Sequence, residues 1–420
     1  MEIGTTTNLL DELFPNWERS GDIIREYELL EILGGELLSS GNGRGGASAR
    51  YGSNEIIYSR SDVPILRAVF SDEHRLNGLF AMEGLNEQDL QLIRDKVRLE
   101  ELDTVGSLVG RETCFNDEYR VEGWWKYRDC FQILPVPPHA PRHQLGGGDL
   151  PFLFEFQYDR PRNHRLHHDR RLRAIWRMHL VLNALLTSPI IRWPRGDTLS
   201  GARVWVNTAL SGVNLHSIVG FPKWNIDYLP QCYWYEGFQD AAEDFSCVEG
   251  MPGIPVIPAH EYYDGFRRSF SPFVLPDDLE HSLDLCLDPI GERRDRILRS
   301  AFWINEMDQA TSASLRMICA VQAVDALLGE VPRGQRTARF GQFLNQFAFS
   351  PTVSDEERRA LFEIRSGLSH GLRDPLIMDR PDYCHLHPMG HGDRRLGGGA
   401  PSTARVAFYN WLHNRPANDG

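Results

Sequence analysis

The sequence contains little lysine, no long apolar run and no paired-cysteine motif. Only three of its 420 residues are lysine, so arginine supplies nearly all of the positive charge. No apolar run approaches the roughly 20 residues that a membrane-spanning helix needs, and the N-terminus does not have the form of a signal peptide. The seven cysteines are odd in number and include no CxxC pair, which is typical of reduced thiols. We therefore expect a cytoplasmic protein without membrane contact.

Acidic residues outnumber basic ones, and the excess is unevenly distributed. The formal net charge is −13. Residues 1–289 contain 28 basic and 43 acidic side chains, whereas residues 290–420 contain 17 and 15. A chain of this charge is not expected to coat nucleic acid, but its nearly neutral C-terminal third can still contact RNA locally.

The pattern of apolar residues changes along the chain. Strand-like and helix-like segments are mixed in the first two thirds, whereas the last third is a series of helical patterns. We therefore predict an α+β region over 1–285, with a sub-boundary near 135–150, followed by an all-α helical bundle over 286–420. The predicted strands are 55–59, 65–70, 152–158, 203–207 and 232–235; the predicted helices of the first region are 85–98 and 167–187; residues 32–56, rich in Gly and Ser, are predicted to be a loop.

Two helices of the predicted bundle have distinctive apolar patterns. The segment 315–328 is apolar nearly all round, which is typical of a centrally buried helix. Asp325 is an isolated acid within it, and we expect a partner such as Arg336 or Arg365 because an unpaired buried charge is costly. The next helix has one apolar face, formed by Phe340, Phe343, Leu344 and Phe347.

The segment 363–371, EIRSGLSHG, is the most informative part of the chain. An S-x-x-E pattern at 354–357 is typical of a helix start, and the glycine and proline that follow the segment end the helix. His370 lies five positions after Arg365, which is about 140° around a regular helix. The two side chains can therefore converge only if the helix ends between them, or if a two-fold dimer brings together one pair from each protomer.

This segment resembles the Arg-x4-6-His motif of the HEPN superfamily, and the string RSGLSHG is especially similar to the Apea-like branch. The resemblance extends over about 290–375. Upstream, 301–304 (AFWI) and 323–328 (AVDALL) add to it; the second is similar to an ALEAL-type helix with Asp325 in place of glutamate. Ser366 follows the motif arginine, where the superfamily often has Asn, Asp or His.

The resemblance implies a metal-independent endoribonuclease that needs no cofactor and acts on RNA as a homodimer or higher oligomer. Arg365 would hold the scissile phosphate, because a guanidinium stays charged and donates two parallel hydrogen bonds. His370 would be the general acid or base, because histidine exchanges protons near neutral pH. The supporting residues would be Ser366, Ser369, Asp325 and Arg336. It also implies a role in antiphage defence or as a toxin, with the N-terminal region sensing a phage-derived or nucleotide trigger.

Two other interpretations of the same segment need consideration. The first is a catalytically inactive HEPN-fold module for dimerisation or for binding RNA or another ligand, in which Ser366 marks the loss of activity. Arg365 locked in an internal ion pair, with His370 buried, would favour that module. The second is a nucleophile elbow, because 367–371 matches G-x-S-x-G. That motif needs a strand before the serine, whereas a helix is predicted here, so we set it aside.

Two further groups of residues are candidate binding sites. Cys384, His387 and His391 have a spacing that zinc sites use, but the Gly and Pro residues around them, up to 397–399, indicate a mobile loop, so we predict no metal. The stretch 160–177 is the most basic part of the chain, and it is either a solvated helix or a contact for RNA or phosphate. The candidate arginines are Arg160, Arg162, Arg165, Arg170, Arg171 and Arg173.

Overall fold

A computed structural model describes residues 8–14, 23–39, 47–52, 54–60, 62–72, 75–116, 120–135, 150–186, 190–192, 241–264, 273–310, 312–332, 334–348, 355–370, 376 and 390–414. These residues form a mixed α/β structure, with sheets in the N-terminal region and helices in the C-terminal region, so the coarse organisation predicted from the sequence is confirmed. None of the helices in these ranges is long and apolar enough to cross a membrane.

The chain divides into two compact units. Residues 1–109 and 157–174 form the first, and residues 110–156 and 175–420 form the second. The predicted division into 1–285 and 286–420 places its boundary within the second unit, and it stays a prediction. Most of the predicted sub-boundary near 135–150 lies outside the described residues.

The first unit contains an antiparallel four-stranded sheet in the order β1-β2-β3-β4, packed with helices on a common apolar core. The core takes Leu29 and Leu33 from the second helix and Ile65 and Ala68 from the third strand, all of which are buried. The helices are α1 (Leu9–Leu13), α2 (Ile23–Ser39) and α3 (Glu87–Lys96), and the strands are β1 (Ala47–Tyr51), β2 (Glu55–Arg60), β3 (Val63–Phe70) and β4 (Leu76–Ala81). The predicted strands at 55–59 and 65–70 and the predicted helix at 85–98 are therefore confirmed.

The predicted loop at 32–56 is wrong over 32–39, which belongs to α2, and over 47–51, which is β1. The physical reason is close packing of the helix on the sheet. A Cβ atom on Gly34 would lie 2.7 Å from Cε1 of Tyr58 in β2. The Tyr58 hydroxyl donates a hydrogen bond to the Leu30 carbonyl at 3.3 Å. The glycine is present because the ring needs its space, and it does not mark a loop.

A second sheet has five strands in the order β6-β7-β8-β5-β9. Strands β6, β7 and β8 are antiparallel neighbours, and β9 is antiparallel to β5. The bounds are β5 (Thr104–Asn116), β6 (Trp125–Tyr127), β7 (Phe131–Pro135), β8 (Leu150–Pro161), helix α4 (Leu166–Leu185) and β9 (Ile190–Arg192); the short parallel pair β10 (Val256–Ile257) and β11 (Leu275–Pro276) follows. Strand 152–158 and helix 167–187 are confirmed, whereas predicted strands 203–207 and 232–235 lie outside the described residues.

Apart from the short strand β11, the elements of the C-terminal region are helices in the described residues. Its helices are α5 (Ala259–Asp264), α6 (Leu279–Leu287), α7 (Glu292–Gln309), α8 (Ala313–Leu328), α9 (Arg336–Phe347), α10 (Asp355–Ser369) and α11 (Gly390–Leu412). Helix α8 contacts α7, α9, α10 and α11, so the prediction of a central helix at 315–328 is confirmed. Leu315 is the exception, because more than a third of its surface is exposed near the start of the helix. The four predicted core residues of α9 are all buried.

Helix α11 corrects one expectation. The mobile loop that we predicted around the Gly-rich segment is wrong from residue 390 onward, because the helix begins at Gly390 and continues through 397–399. Buried residues recur at helical spacing further along it, and this apolar face explains the helix: Ala400, Ala404, Ala407, Phe408 and Leu412. Arg405 anchors it, since Nη1 donates to the Asn183 carbonyl at 2.6 Å and to the Leu186 carbonyl at 2.7 Å, at the C-terminal end of α4.

Candidate functional site

Helix α10 carries Arg365, ends directly before His370 and is firmly packed. Leu361 and Ile364 are buried on its apolar face, as the sequence pattern predicted. Arg358 is only 2% exposed, and its Nε donates a hydrogen bond to Asn345 Oδ1 of α9 at 2.5 Å. A buried arginine of this kind is stable only with good hydrogen bonds, so this contact fixes α10 against α9.

Arg365 differs from Arg358 in its surroundings. Its guanidinium carbon lies 5.7 Å from the centroid of the Phe362 ring, which in turn packs on Phe340 of α9 at 5.2 Å. Its Nε is buried and has no hydrogen-bond partner, and within the described residues no carboxylate pairs with it. An unsatisfied buried donor costs about 1–3 kcal/mol, so an acceptor supplied by a ligand would be stabilised here.

Phe362 is a contributor to the site that the sequence analysis missed. The signal was available, because Phe362 precedes Arg365 by three positions and side chains at i and i+3 are neighbours on a helix. A guanidinium over an aromatic face gains about 0.5–1 kcal/mol at a partly exposed position. The ring therefore restricts where the Arg365 guanidinium can lie.

His370 follows directly after the last residue of α10, and its side chain is exposed. Its backbone N–H donates to the Ser366 carbonyl at 3.1 Å, so the helical hydrogen-bond pattern continues to this residue. The offset of about 140° from Arg365 that a regular helix imposes therefore applies. One chain does not place the two side chains on one face, which leaves a two-fold pairing of chains as the route by which they can meet.

The four predicted supporting residues lie on helices α8, α9 and α10. Asp325 on α8 is 7% exposed, and its Oδ1 lies 2.7 Å from Nε of Arg336, the first residue of α9. Of the two arginines expected as its partner, Arg336 is therefore the one observed. Ser369 is exposed and Ser366 is half-buried. Because Asp325 is neutralised elsewhere, it does not compete with a phosphate for Arg365.

Four of the six candidate arginines of the basic stretch lie beside acids. Arg170 donates to the buried Glu28 carboxylate at 3.0 and 2.8 Å, and Arg173 contacts the same group. Arg165 lies 3.2 Å from Glu36, and Arg162 lies 3.8 Å from Glu100. Arg160 and Arg171 also have interaction partners. These contacts explain the basic residues structurally, and a phosphate-binding role for them stays a prediction without support from the geometry.

Only one of the three candidate zinc ligands lies in the described part of the chain. Cys384 and His387 lie outside the described residues, and His391 is the second residue of α11. Among the residues that the structure does describe, no group of three or more His, Cys, Asp or Glu side chains could hold a metal ion.

Comparison of the chain with family models, with curated proteins and with solved structures finds no match. The HEPN resemblance therefore depends on the sequence segments quoted above for about 290–375.

Proposed function

We propose that this protein is a metal-independent endoribonuclease of the HEPN type, with the helices α7 to α11 as an Apea-like HEPN bundle that acts as a homodimer. The observation that carries the proposal is the state of Arg365. It precedes an exposed His370 by five positions, has a buried Nε without a partner, and is paired with no acid in the described part of the chain. The ion pair that would favour an inactive module is absent from those residues.

The chemistry follows from the residue types. A base removes the proton from the ribose 2′-hydroxyl, whose oxygen attacks the adjacent phosphorus. The bond from phosphorus to the 5′-oxygen breaks, and an acid gives that oxygen a proton, which leaves a 2′,3′-cyclic phosphate and a 5′-hydroxyl. Arg365 stabilises the extra negative charge on the phosphoryl oxygens. In a dimer, His370 of one protomer acts as the general acid or base beside Arg365 of the other, water exchanges the second proton, and positioned proton transfer contributes about 10²–10⁴-fold.

The proposed biological role extends the resemblance. Residues 1–285 would be the sensor or regulator of an antiphage or toxin nuclease in the cytoplasm. The charge distribution is consistent with these two roles. The acidic excess lies in residues 1–289, and the region that would bind RNA is nearly neutral.

The test is cleavage of bulk and transfer RNA in EDTA by the wild type, Arg365→Ala and His370→Ala. We expect each variant to lose at least about 100-fold in rate, because each removes a group that acts on the reacting atoms. Matched controls are Arg299→Ala and His260→Ala, which remove exposed side chains of α7 and α5. Circular dichroism and light scattering check that all variants keep the fold and the oligomeric state.

Cleavage that survives both motif substitutions would place the active site elsewhere. Equal losses in the Arg299→Ala control would show that the effect is one of general charge. The absence of cleavage by the wild type, with transfer RNA and with RNA from phage-infected cells, would favour the inactive module.

A further inference from the structure

A pocket of about 350 Å³ opens on the helical region and is separate from the motif residues. Its walls come from α7, the end of α8, α9 and α11, and none of the residues that line it belongs to α10. The volume is near the lower end of the range of about 300–1,000 Å³ that small-molecule sites span. It would hold a ligand of mononucleotide size.

One wall of the pocket is a face of α9 that combines charge with amides. Arg339, Gln342 and Gln346 recur at i, i+3 and i+7 and line the pocket together with Phe343. All three polar side chains are exposed, and among the described residues none of them has a hydrogen-bond or ion-pair partner. This face thus offers a free guanidinium and two amides, each with a donor and an acceptor.

Another part of the lining combines an indole with a positioned cation. Trp411 lines the pocket, and the guanidinium carbon of Arg293 lies 5.2 Å from the centroid of its ring. Arg296, also in the lining, is held by Glu292 with an Nε to Oε1 distance of 3.1 Å. It packs on Gly329, where a Cβ atom would lie 2.3 Å from the guanidinium carbon and where φ is +69°. A residue with a side chain at this position would displace Arg296.

These groups define the chemistry of a ligand. An aromatic wall favours a flat ring, paired amides favour the hydrogen-bonding edge of a base, and the Arg339 guanidinium, which has no partner among the described residues, favours an anion. We propose that the pocket binds a nucleotide unit, with the base against Trp411, its edge read by Gln342 and Gln346, and the phosphate on Arg339. Glutamine is suited to the N6 and N7 atoms of adenine, so adenine is the expected base.

The experiment is calorimetric titration of the full chain in EDTA with AMP, adenosine, UMP and inorganic phosphate. We expect AMP to bind more tightly than each of the other three. Arg339→Ala is expected to weaken AMP binding about tenfold and to leave adenosine binding unchanged, because it removes one charge-assisted contact. Gln342→Ala is expected to reduce the preference for AMP over UMP. Arg299→Ala, an exposed arginine outside the pocket, is the matched control and is expected to bind AMP as the wild type does.

The source of the nucleotide is decided by titrating the His370→Ala variant with a tetra-adenylate RNA. Tighter binding of the tetranucleotide than of AMP, weakened by an added Arg339→Ala substitution, would assign the pocket to an RNA chain; equal or weaker binding would assign it to a free nucleotide. AMP binding no tighter than that of phosphate, or unaffected by Arg339→Ala, would overturn the proposal. Because AMP binding is expected to depend on Arg339 and RNA cleavage on Arg365 and His370, this site and the proposed nuclease site stand or fail separately.

Discussion

The role of an arginine in this chain depends on what its guanidinium contacts. Arg405 donates to backbone carbonyls at the end of α4 and pairs with Asp308, and Arg358 is buried against Asn345. Both are saturated with protein partners and stabilise the packing of helices. Arg365 contacts only an aromatic ring among the described residues, and this difference is why we assign it to a phosphate and the other two to the fold.

Two cysteines, Cys319 and Cys247, are expected to differ in their reactivity. Burial, with an added contribution from Glu306, raises the pKa of the Cys319 thiol to about 11, so only about one thiol in a thousand is ionised at pH 8. Cys247 is exposed. We expect iodoacetamide at pH 8 to label Cys247 well before Cys319, and the rate at Cys319 to rise about tenfold per pH unit up to pH 10. Peptide mapping by mass spectrometry measures both rates; similar labelling of the two at pH 8 would contradict the assigned burial.

Helix α2 contains a glycine whose replacement by alanine is expected to destabilise the protein, although alanine has the higher helix propensity. Gly34→Ala gains about 1 kcal/mol of propensity but forces a methyl group into the buried ring of Tyr58, and such overpacking costs about 1–3 kcal/mol. The Cβ of Gly35→Ala meets the flexible Arg165 side chain, with its Cδ and Nη1 at 2.9 Å. We therefore expect urea unfolding to show Gly34→Ala less stable than Gly35→Ala by about 1 kcal/mol. The reverse order would mean that Tyr58 is not fixed against α2.

The elements that were predicted correctly are those whose own residues carry a clear pattern of apolar spacing or of strand-forming side chains. Helices α8, α9 and α10 have apolar residues at helical spacing, and β2, β3 and β8 have β-branched or aromatic runs. Two of the three failures, at 32–39 and 390–399, are glycine-rich helix segments, where local composition indicates a loop and tertiary packing determines the outcome; the third, 47–51, is strand β1. The apolar spacing from Ala400 to Leu412 was a signal for the second of these helices.

The same distinction applies to the candidate site. The positions of Arg365 and His370 on one helix end could be read from the motif and from the caps that were predicted around it. Which arginine pairs with Asp325 could not be read from the sequence, because the pairing with Arg336 depends on how α8 packs against α9. The pocket around Trp411 was also beyond the sequence, since its lining residues lie between positions 296 and 411 and meet only when four helices and the segment 330–332 pack together.

At the scale of the whole molecule, the charge distribution limits how RNA can be captured. Residues 1–289 have 15 more acidic than basic side chains, so long-range steering of a polyanion is weak. Beyond about 8–10 Å such repulsion is screened at physiological salt, and binding then depends on local contacts at the site. A site made by two chains doubles the number of Arg365 and His370 side chains available for those contacts.

Mixing inactive variants tests whether two chains share one site. If Arg365 of one protomer acts with His370 of the other, a dimer of one Arg365→Ala chain and one His370→Ala chain keeps one intact Arg–His pair. Random exchange makes half of the dimers mixed, so we expect the mixture to recover up to about a quarter of the wild-type cleavage rate, although each parent is inactive. The measurement is RNA cleavage after the two differently tagged chains have been co-expressed, with tandem purification of the mixed dimer.

A purified mixed dimer as inactive as its parents would show that the pair acts within one chain or that both copies are required. Recovery is the expected result, because the helical offset of about 140° keeps the two side chains of one protomer apart.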